Sequence, residues 1–381
     1  MVRGTPLQHL LPEERLLCLL ARLDSPEALE RAWSMLDEPI DWDLLWGLAH
    51  RHEVLPLVWS HVRTRPERRS AIPDGFAARA ERRYLATMLR NAARIEELER
   101  VMRALHAESI EVMPVKGPMI AETVYRNPAL RVFDDLDILV PSPRIEAARL
   151  VLQKLGYGTR AIPQFAEVTH HFHDLQYFRD VAGGELCLEL HWDLWSPQRF
   201  RSDIDGLWDR SRTASVANVP VRILADEDVV LHLAIHRTAA PLRLRMVCDV
   251  AELVRDRGDR LDWEGLVRRA ETLGARTALH VVLALAADLL GAPVPDAVLQ
   301  RTRPGAVKRW ILDRTCGVRA LFRPAADDDL KQQPHLVYRI AEQDGLAQIT
   351  RSALAAIARK PAKWQYQQRT SALDPERTRD G

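Results

Sequence analysis

The stretch Leu130-Arg-Val-Phe-Asp-Asp-Leu-Asp-Ile-Leu-Val-Pro141 decides the fold. Asp135 and Asp137 alternate here with Leu136, Ile138 and Val140. Residues i and i+2 of a strand share a face, so the pattern predicts two carboxylates projecting together from a strand whose other face is aliphatic. Two like charges this close repel unless a cation lies between them. An oxygen-seeking divalent ion, Mg²⁺ or Mn²⁺, is their natural partner. The alternative is an acidic pair left in solvent at a sheet edge or in a turn. Asp134 points to the opposite face and reads as a turn or capping group.

A second strand is written in Glu185-Leu-Cys-Leu-Glu-Leu-His-Trp-Asp193. Leu186, Leu188, Leu190 and Trp192 form one face, which reads as core. Glu185, Cys187, Glu189, His191 and Asp193 form the other. Beside the first strand, Glu189 would complete a three-carboxylate set able to hold two metals for in-line phosphoryl chemistry. Otherwise this is the polar side of a half-wet sheet. Upstream, Pro114-Val-Lys-Gly-Pro-Met-Ile-Ala121 places Lys116 and Gly117 where an apolar strand ends and a helix begins. Free N–H groups at a helix start attract an anion, Gly117 permits close backbone approach, and Lys116 adds a point charge for a phosphate. The GxxxxGK[ST] spacing of a P-loop is absent.

Outward from this centre the chain divides into three parts and a tail. Residues 1–108 read as helical, with starts at Pro12, Ser25-Pro26 and Asp41, then one long helix from Asp74 to about His106. The arginines of that helix read as a solvated face, the alternative being a phosphate- or nucleic-acid-binding face. Residues 109–224 carry strands at Ile110–Val115, Leu136–Val140, His171–Phe178, Glu185–Trp192 and Val219–Leu224. Helices are expected at about 117–126 and 143–155, and a hairpin turn at Gly183-Gly184. Residues 225–360 return to helix, with Gly258, Gly274 and Gly291 at helix stops, and 361–381 form a tail. The expected class is α+β, a mixed β-sheet core with helical regions on both sides.

Composition narrows the function. The 381 residues are 47% hydrophobic with a formal charge of +1, which excludes bulk disorder and a strong global field for nucleic acid. Cys18, Cys187, Cys248 and Cys316 share no metal or redox spacing, consistent with a reducing compartment. No signal-like apolar run opens the chain, and Asp288 breaks the most apolar stretch, so a cytoplasmic protein without membrane contact is expected. Only six of the 54 basic residues are lysines, which singles out Lys116.

Taken in order, these pieces resemble the nucleotidyltransferase superfamily of DNA polymerase β. More narrowly, they resemble an uncharacterised bacterial nucleotidyltransferase-like family. The resemblance rests on Val115-Lys-Gly117, on Arg131…Asp135-Leu-Asp137-Ile-Leu-Val140, on Leu152-Gln-Lys-Leu-Gly-Tyr157 and on Glu189-Leu-His-Trp192. It continues through Leu231-His-Leu-Ala-Ile-His236 and Arg243–Asp249, and spans roughly residues 85–290. It implies a nucleotidyltransferase-type sheet and transfer of a nucleoside monophosphate from an NTP, such as ATP, with loss of pyrophosphate. By motif, Asp135, Asp137 and Glu189 would bind Mg²⁺, and Lys116, Gly117 and Arg131 the nucleotide. Lys-Gly stands where the superfamily has Gly-Ser, so Lys116 replaces a serine hydroxyl.

His171, His191 and His236 are expected to support this set from nearby. A zinc site at His170, His171 and His173 with Asp174 lacks a Cys or further His at ligand spacing, so these read as polar sheet residues. His232 and His236 lie i, i+4 on a helix without the glutamate of HExxH and read as packing groups; the alternative puts His236 and Arg243–Arg245 over a cleft. Arg131 either pairs with an acid or touches phosphate. The tryptophans read as core, with Trp195 a stacking candidate. The acceptor is open between a peptide, a small molecule and RNA, the near-zero charge arguing against a large RNA. Two rival readings are a non-catalytic nucleotide- or partner-binding module, and an accessory tailoring protein in peptide or natural-product maturation.

Overall fold

The computed structural model describes residues 9–160, 173–181, 184–195, 199–236, 242–322, 343–345 and 350. Four short helices come first: α1 (Pro12–Leu20), α2 (Pro26–Met35), α3 (Trp42–Arg51) and α4 (Leu55–Arg63). Proline opens the first two, where its missing N–H is no loss. The Asp41 carboxylate caps α3 by accepting from the Asp43 and Leu44 N–H groups. Helix α4 went unread in the sequence, because its Pro56 resembles a break; the proline falls in the first turn and is tolerated there.

The long helix α5 runs from Asp74 to Ala107. Its buried stripe is mostly apolar, Phe76, Ala77, Ala80 and Tyr84 early and Leu98, Val101, Met102 and Leu105 late. Between them lie Thr87 and Asn91, both buried. Asn91 Nδ2 donates to the carbonyls of Pro128 (2.7 Å) and Arg131 (2.9 Å), which tethers the chain just before the carboxylate strand.

The main sheet has four strands in the order β1-β2-β4-β3: β1 (Met113–Val115), β2 (Asp135–Leu139), β3 (Asp174–Val181) and β4 (Gly184–His191). β1 lies antiparallel to β2, β2 parallel to β4, and β3 antiparallel to β4. Helix α6 (Gly117–Thr123) follows β1 and helix α7 (Ile145–Lys154) follows β2. The leucine face of β4 is core, with Leu186, Leu188 and Leu190 all buried. The strand read from His171 begins at Asp174, and His170 and His171 lie outside the described residues, as do Gly183 and the tail.

A separate hairpin, β5 (Arg212–Val216) and β6 (Val219–Ile223), was only half read, as β6. Its turn residues Ala217 and Asn218 both have positive φ (48° and 57°), the conformation a two-residue hairpin needs. Alanine at the first position hides that signal. The helix Ile204–Arg210 before it was also unread.

Beyond the hairpin come helices at Asp226–His236, Leu244–Arg257, Trp263–Leu273 and Arg276–Leu290, then shorter ones to Phe322. Gly274 and Gly291 end theirs in the left-handed conformation (φ 73° and 63°). Gly258 instead keeps helical angles and leads into a turn, Gly258–Arg260. The buried core is continuous from the N-terminal helices through the sheet to these helices. Among the described residues no helix is long and apolar enough to cross a membrane.

Candidate active site

The register of β2 and β4 sets Asp137 beside Glu189. It also sets Asp135 beside Cys187 and Leu139 beside His191. Asp137 is buried at 2% exposure, with Asp135 and Glu189 partly open. The sheet thus gathers three carboxylates on one side, a geometry that sequence spacing alone leaves undetermined.

Two nitrogens converge on one oxygen of this group. Lys116 Nζ donates to Asp137 Oδ1 at 2.5 Å, and His191 Nε2 lies 3.0 Å from the same atom. Glu189 Oε2 is 3.7 Å from Lys116 Nζ and 3.4 Å from His191 Nε2, and its Oε1 accepts from Gln176 Nε2 at 2.9 Å. Asp137 Oδ2 is buried without a hydrogen-bond partner among the described residues. An orphaned buried carboxylate oxygen is uncommon and suits a cation ligand. The ligand atoms of Asp137, Glu189 and His191 lie within 4.8 Å of one another, as do those of His173, Asp174 and His191. His191 thus stands beside His173 and Asp174 from the neighbouring strand, a proximity that sequence spacing did not reveal.

The electrostatics follow from burial. Burial, then the charge of Asp137, pushes the Asp135 carboxyl up to about 6. Burial also opposes the charged forms of Glu189, His191 and Lys116, and in each it is outweighed. Hydrogen bonding from His191 and the Lys116 charge hold the Glu189 carboxyl well below its usual range. Asp137 and Glu189 in turn raise His191 to about 9 and hold Lys116 above the ordinary lysine range. Asp174 is raised by burial.

The Lys-Gly turn is tightly built. Lys116 has φ 55° and ψ −124°, a conformation natural to glycine. Gly117 packs against the chain leading into β2, where an added Cβ would meet Phe133 Cβ at 3.3 Å. Helix α6 spans seven residues, and Pro118 in its first turn carries no N–H.

Of the two roles read for Arg131, pairing with an acid is the one its geometry shows. Its Nε and Nη2 donate to Asp249 Oδ1 (2.9 Å) and Oδ2 (2.8 Å), and Nη1 to the Gly117 carbonyl (3.3 Å). Tyr125 donates its hydroxyl to Asp249 as well, at 3.0 Å. This buried pair ties the Lys-Gly turn to the helix Leu244–Arg257. Arg243 and Arg245 both pair with Glu53 on the N-terminal side. His232 and His236 stack at 5.9 Å, and Trp195, buried, tilts against His232 at 6.1 Å. Both ring nitrogens of His232 lack hydrogen-bond partners among the described residues. Burial, then the charge of Lys116, pushes both histidines well below the usual range.

Gln176, Arg90 and Arg94 were not singled out in the sequence, whereas Asp174 was read only beside the histidine cluster. Gln176 lies inside the strand as read, but a neutral amide carries no charge or metal signal in the sequence. Arg90 and Arg94 sit i, i+4 on α5 and face Asp134 at 3.6 and 3.8 Å. Each has two buried guanidinium nitrogens without a hydrogen-bond partner among the described residues, Nε and Nη2 of Arg90 and Nε and Nη1 of Arg94. Their i, i+4 spacing beside Asn91 was the available signal.

A mixed sheet with two acids on one strand and a third on its parallel neighbour defines an α+β protein of nucleotidyltransferase type. The model of the family described as "Uncharacterised nucleotidyltransferase" matches residues 38–291, and the chain belongs to that family. Solved structures similar to the chain include the antibiotic-resistance factor ANT(2'')-Ia in solution: 13% identity, 48% of this chain and 92% of that one covered, TM-score 0.34. The crystal structure of ANT(2")-Ia in complex with adenylyl-2"-tobramycin matches at 14% identity, covering 47% of this chain and 96% of that one, TM-score 0.33. An antigenic nucleotidyltransferase-like protein from Paracoccidioides brasiliensis matches at 14% identity, covering 54% and 96%, TM-score 0.36. No curated protein matches the chain.

Proposed function

We propose that this chain transfers a nucleoside monophosphate from an NTP to a hydroxyl-bearing acceptor, using a divalent metal. The observation that carries the reading is the Asp137–Glu189 register, together with the buried, unpartnered Asp137 Oδ2. Asp135, Asp137 and Glu189 are an all-oxygen donor set, which fits Mg²⁺ or Mn²⁺. The metal, when bound, neutralises phosphate charge and lowers the acceptor hydroxyl's pKa. In the transfer, the acceptor oxygen forms a bond to the α-phosphorus and the bond from that phosphorus to the bridging oxygen of the β-phosphate breaks. Pyrophosphate leaves, and the hydroxyl proton passes to a carboxylate of the site. Glu189, held low by His191 and Lys116, suits a ligand better than a base.

In this reading Lys116 meets the phosphates and Gly117 keeps the turn close to β2. Arg131 acts behind them, as a support for the Gly117 carbonyl. Arg90 and Arg94, which face Asp134, bring positive charge from α5 for the outer phosphates. His191 orients Asp137, and His236 lies at the end of the helix Asp226–His236, stacked on His232.

The test is calorimetry of each NTP with and without Mg²⁺, paired with pyrophosphate release during an acceptor screen. Wild type is expected to bind in a Mg²⁺-dependent way and Asp137→Asn to lose release by at least ~10²–10³-fold while remaining folded. Full activity in a folded Asp137→Asn protein refutes the assignment.

A further inference from the structure

Lys116 occupies space at the centre of the acidic group. Its ammonium bridges the two acids that the register brings together, 2.5 Å from Asp137 Oδ1 and 3.7 Å from Glu189 Oε2. The side chain is 10% exposed. Glycine at this position would relieve the positive φ, so the lysine is held against a backbone preference. Strain of this kind persists where the side chain has a task that the surrounding structure enforces.

The charge count agrees. Asp135, Asp137 and Glu189 ionised carry three negative charges, and Lys116 reduces the sum to two, the charge of one divalent ion. A neutral His191 leaves that count unchanged and a protonated one lowers it further, so neither favours a second ion. Asp137 is also used asymmetrically. Oδ1 is taken by Lys116 and His191, whereas Oδ2 is buried and open among the described residues. Two cations on the same side of one carboxylate would repel across a few ångströms of poorly solvated space.

Resting on the reading above, we propose that the Lys116 ammonium takes the place of one of two divalent cations, so that the centre loads a single divalent ion. A tethered cation neutralises phosphate charge without having to be bound from solution. Metal loading of the wild type is therefore a one-site process. Replacing Lys116 by a neutral side chain of similar length vacates the second position and leaves the carboxylates to recruit a second ion.

The experiment is a Mn²⁺ titration of the full-length chain without nucleotide, free Mn²⁺ being read by electron paramagnetic resonance. Counts are taken relative to Asp135→Asn/Asp137→Asn, which removes the centre and leaves surface binding. One ion per chain is expected for wild type and two for Lys116→Met. Lys116→Gly, which relaxes the backbone, serves in the same role if the methionine variant does not fold. Two ions in wild type, or one in both wild type and a folded Lys116 variant, overturn the inference and leave the metal centre standing. No bound ion in either protein overturns the metal reading itself, and this inference with it.

Discussion

Substituting Asp249 by asparagine should destabilise the chain through the Arg131 pair. Arg131 and Asp249 have side-chain exposures of 3% and 1%, and two charge-assisted bonds of 2.8 and 2.9 Å join them. Asparagine keeps the shape and one acceptor oxygen. It removes the charge and turns an amide N–H₂ group toward a guanidinium that has nowhere to solvate. Removing one partner of a buried pair costs about 3–5 kcal/mol, because the other charge is left uncompensated. If the chain melts as one unit, an unfolding entropy of ~2.1 cal/mol/K per residue converts this into a Tm fall of roughly 4–6 °C. Urea titration and scanning calorimetry on wild type and Asp249→Asn measure it. The control is the triple variant Arg131→Met/Asp249→Leu/Tyr125→Phe, which removes both charges and the hydroxyl that donates to Asp249. It should recover most of the loss, since apolar replacement of a buried pair is often neutral or stabilising. A loss under about 1 kcal/mol in Asp249→Asn, or a triple variant no better than the single, refutes the reasoning. The folded Asp249→Asn protein should also bind Mn²⁺ more weakly, because Arg131 then holds the Gly117 carbonyl less firmly.

Two further outcomes are expected. Arg90→Ala/Arg94→Ala should weaken NTP binding at least ~10-fold, since each charge-assisted hydrogen bond is worth about 1.5–3 kcal/mol. Mn²⁺ affinity measured without nucleotide should be unchanged in that variant; an unaltered NTP affinity by calorimetry removes these arginines from the site. The second concerns pH. Asp135 titrates near 6 in the metal-free fold against an ordinary 3.8, so its contribution to metal-free stability is full below 3.8 and is lost as pH rises through about 6. The metal needs the ionised form, so Mn²⁺ affinity should fall up to tenfold per pH unit below about 6. Asp135→Asn should flatten that profile, and a profile unchanged by the substitution rejects the assignment.

Period-two alternation made β2 and β4 legible in the sequence, because a strand that buries one face must write its faces alternately. Asp135, Asp137 and Glu189 stood out for the same reason, with Lys116 and Gly117 marked by their place between strand and helix. The elements that escaped were those whose signals are local exceptions. Pro56 sits inside the first turn of α4, Ala217 occupies a left-handed turn position, and β3 starts three residues after its apolar alternation suggests.

Which acids share a strand face, and which strands carry them, was therefore legible in residue pattern alone. Only the tertiary structure decided that β2 and β4 are neighbours in a register that pairs Asp137 with Glu189. It also decided that Lys116 turns its ammonium onto Asp137, that Arg131 is committed to Asp249 across 118 residues, and that Arg90 and Arg94 come to Asp134 from a separate helix. The physical reason is one of range. Backbone propensity and side-chain periodicity act over a few residues, whereas charge pairing and metal affinity depend on distances that only strand order and helix packing set.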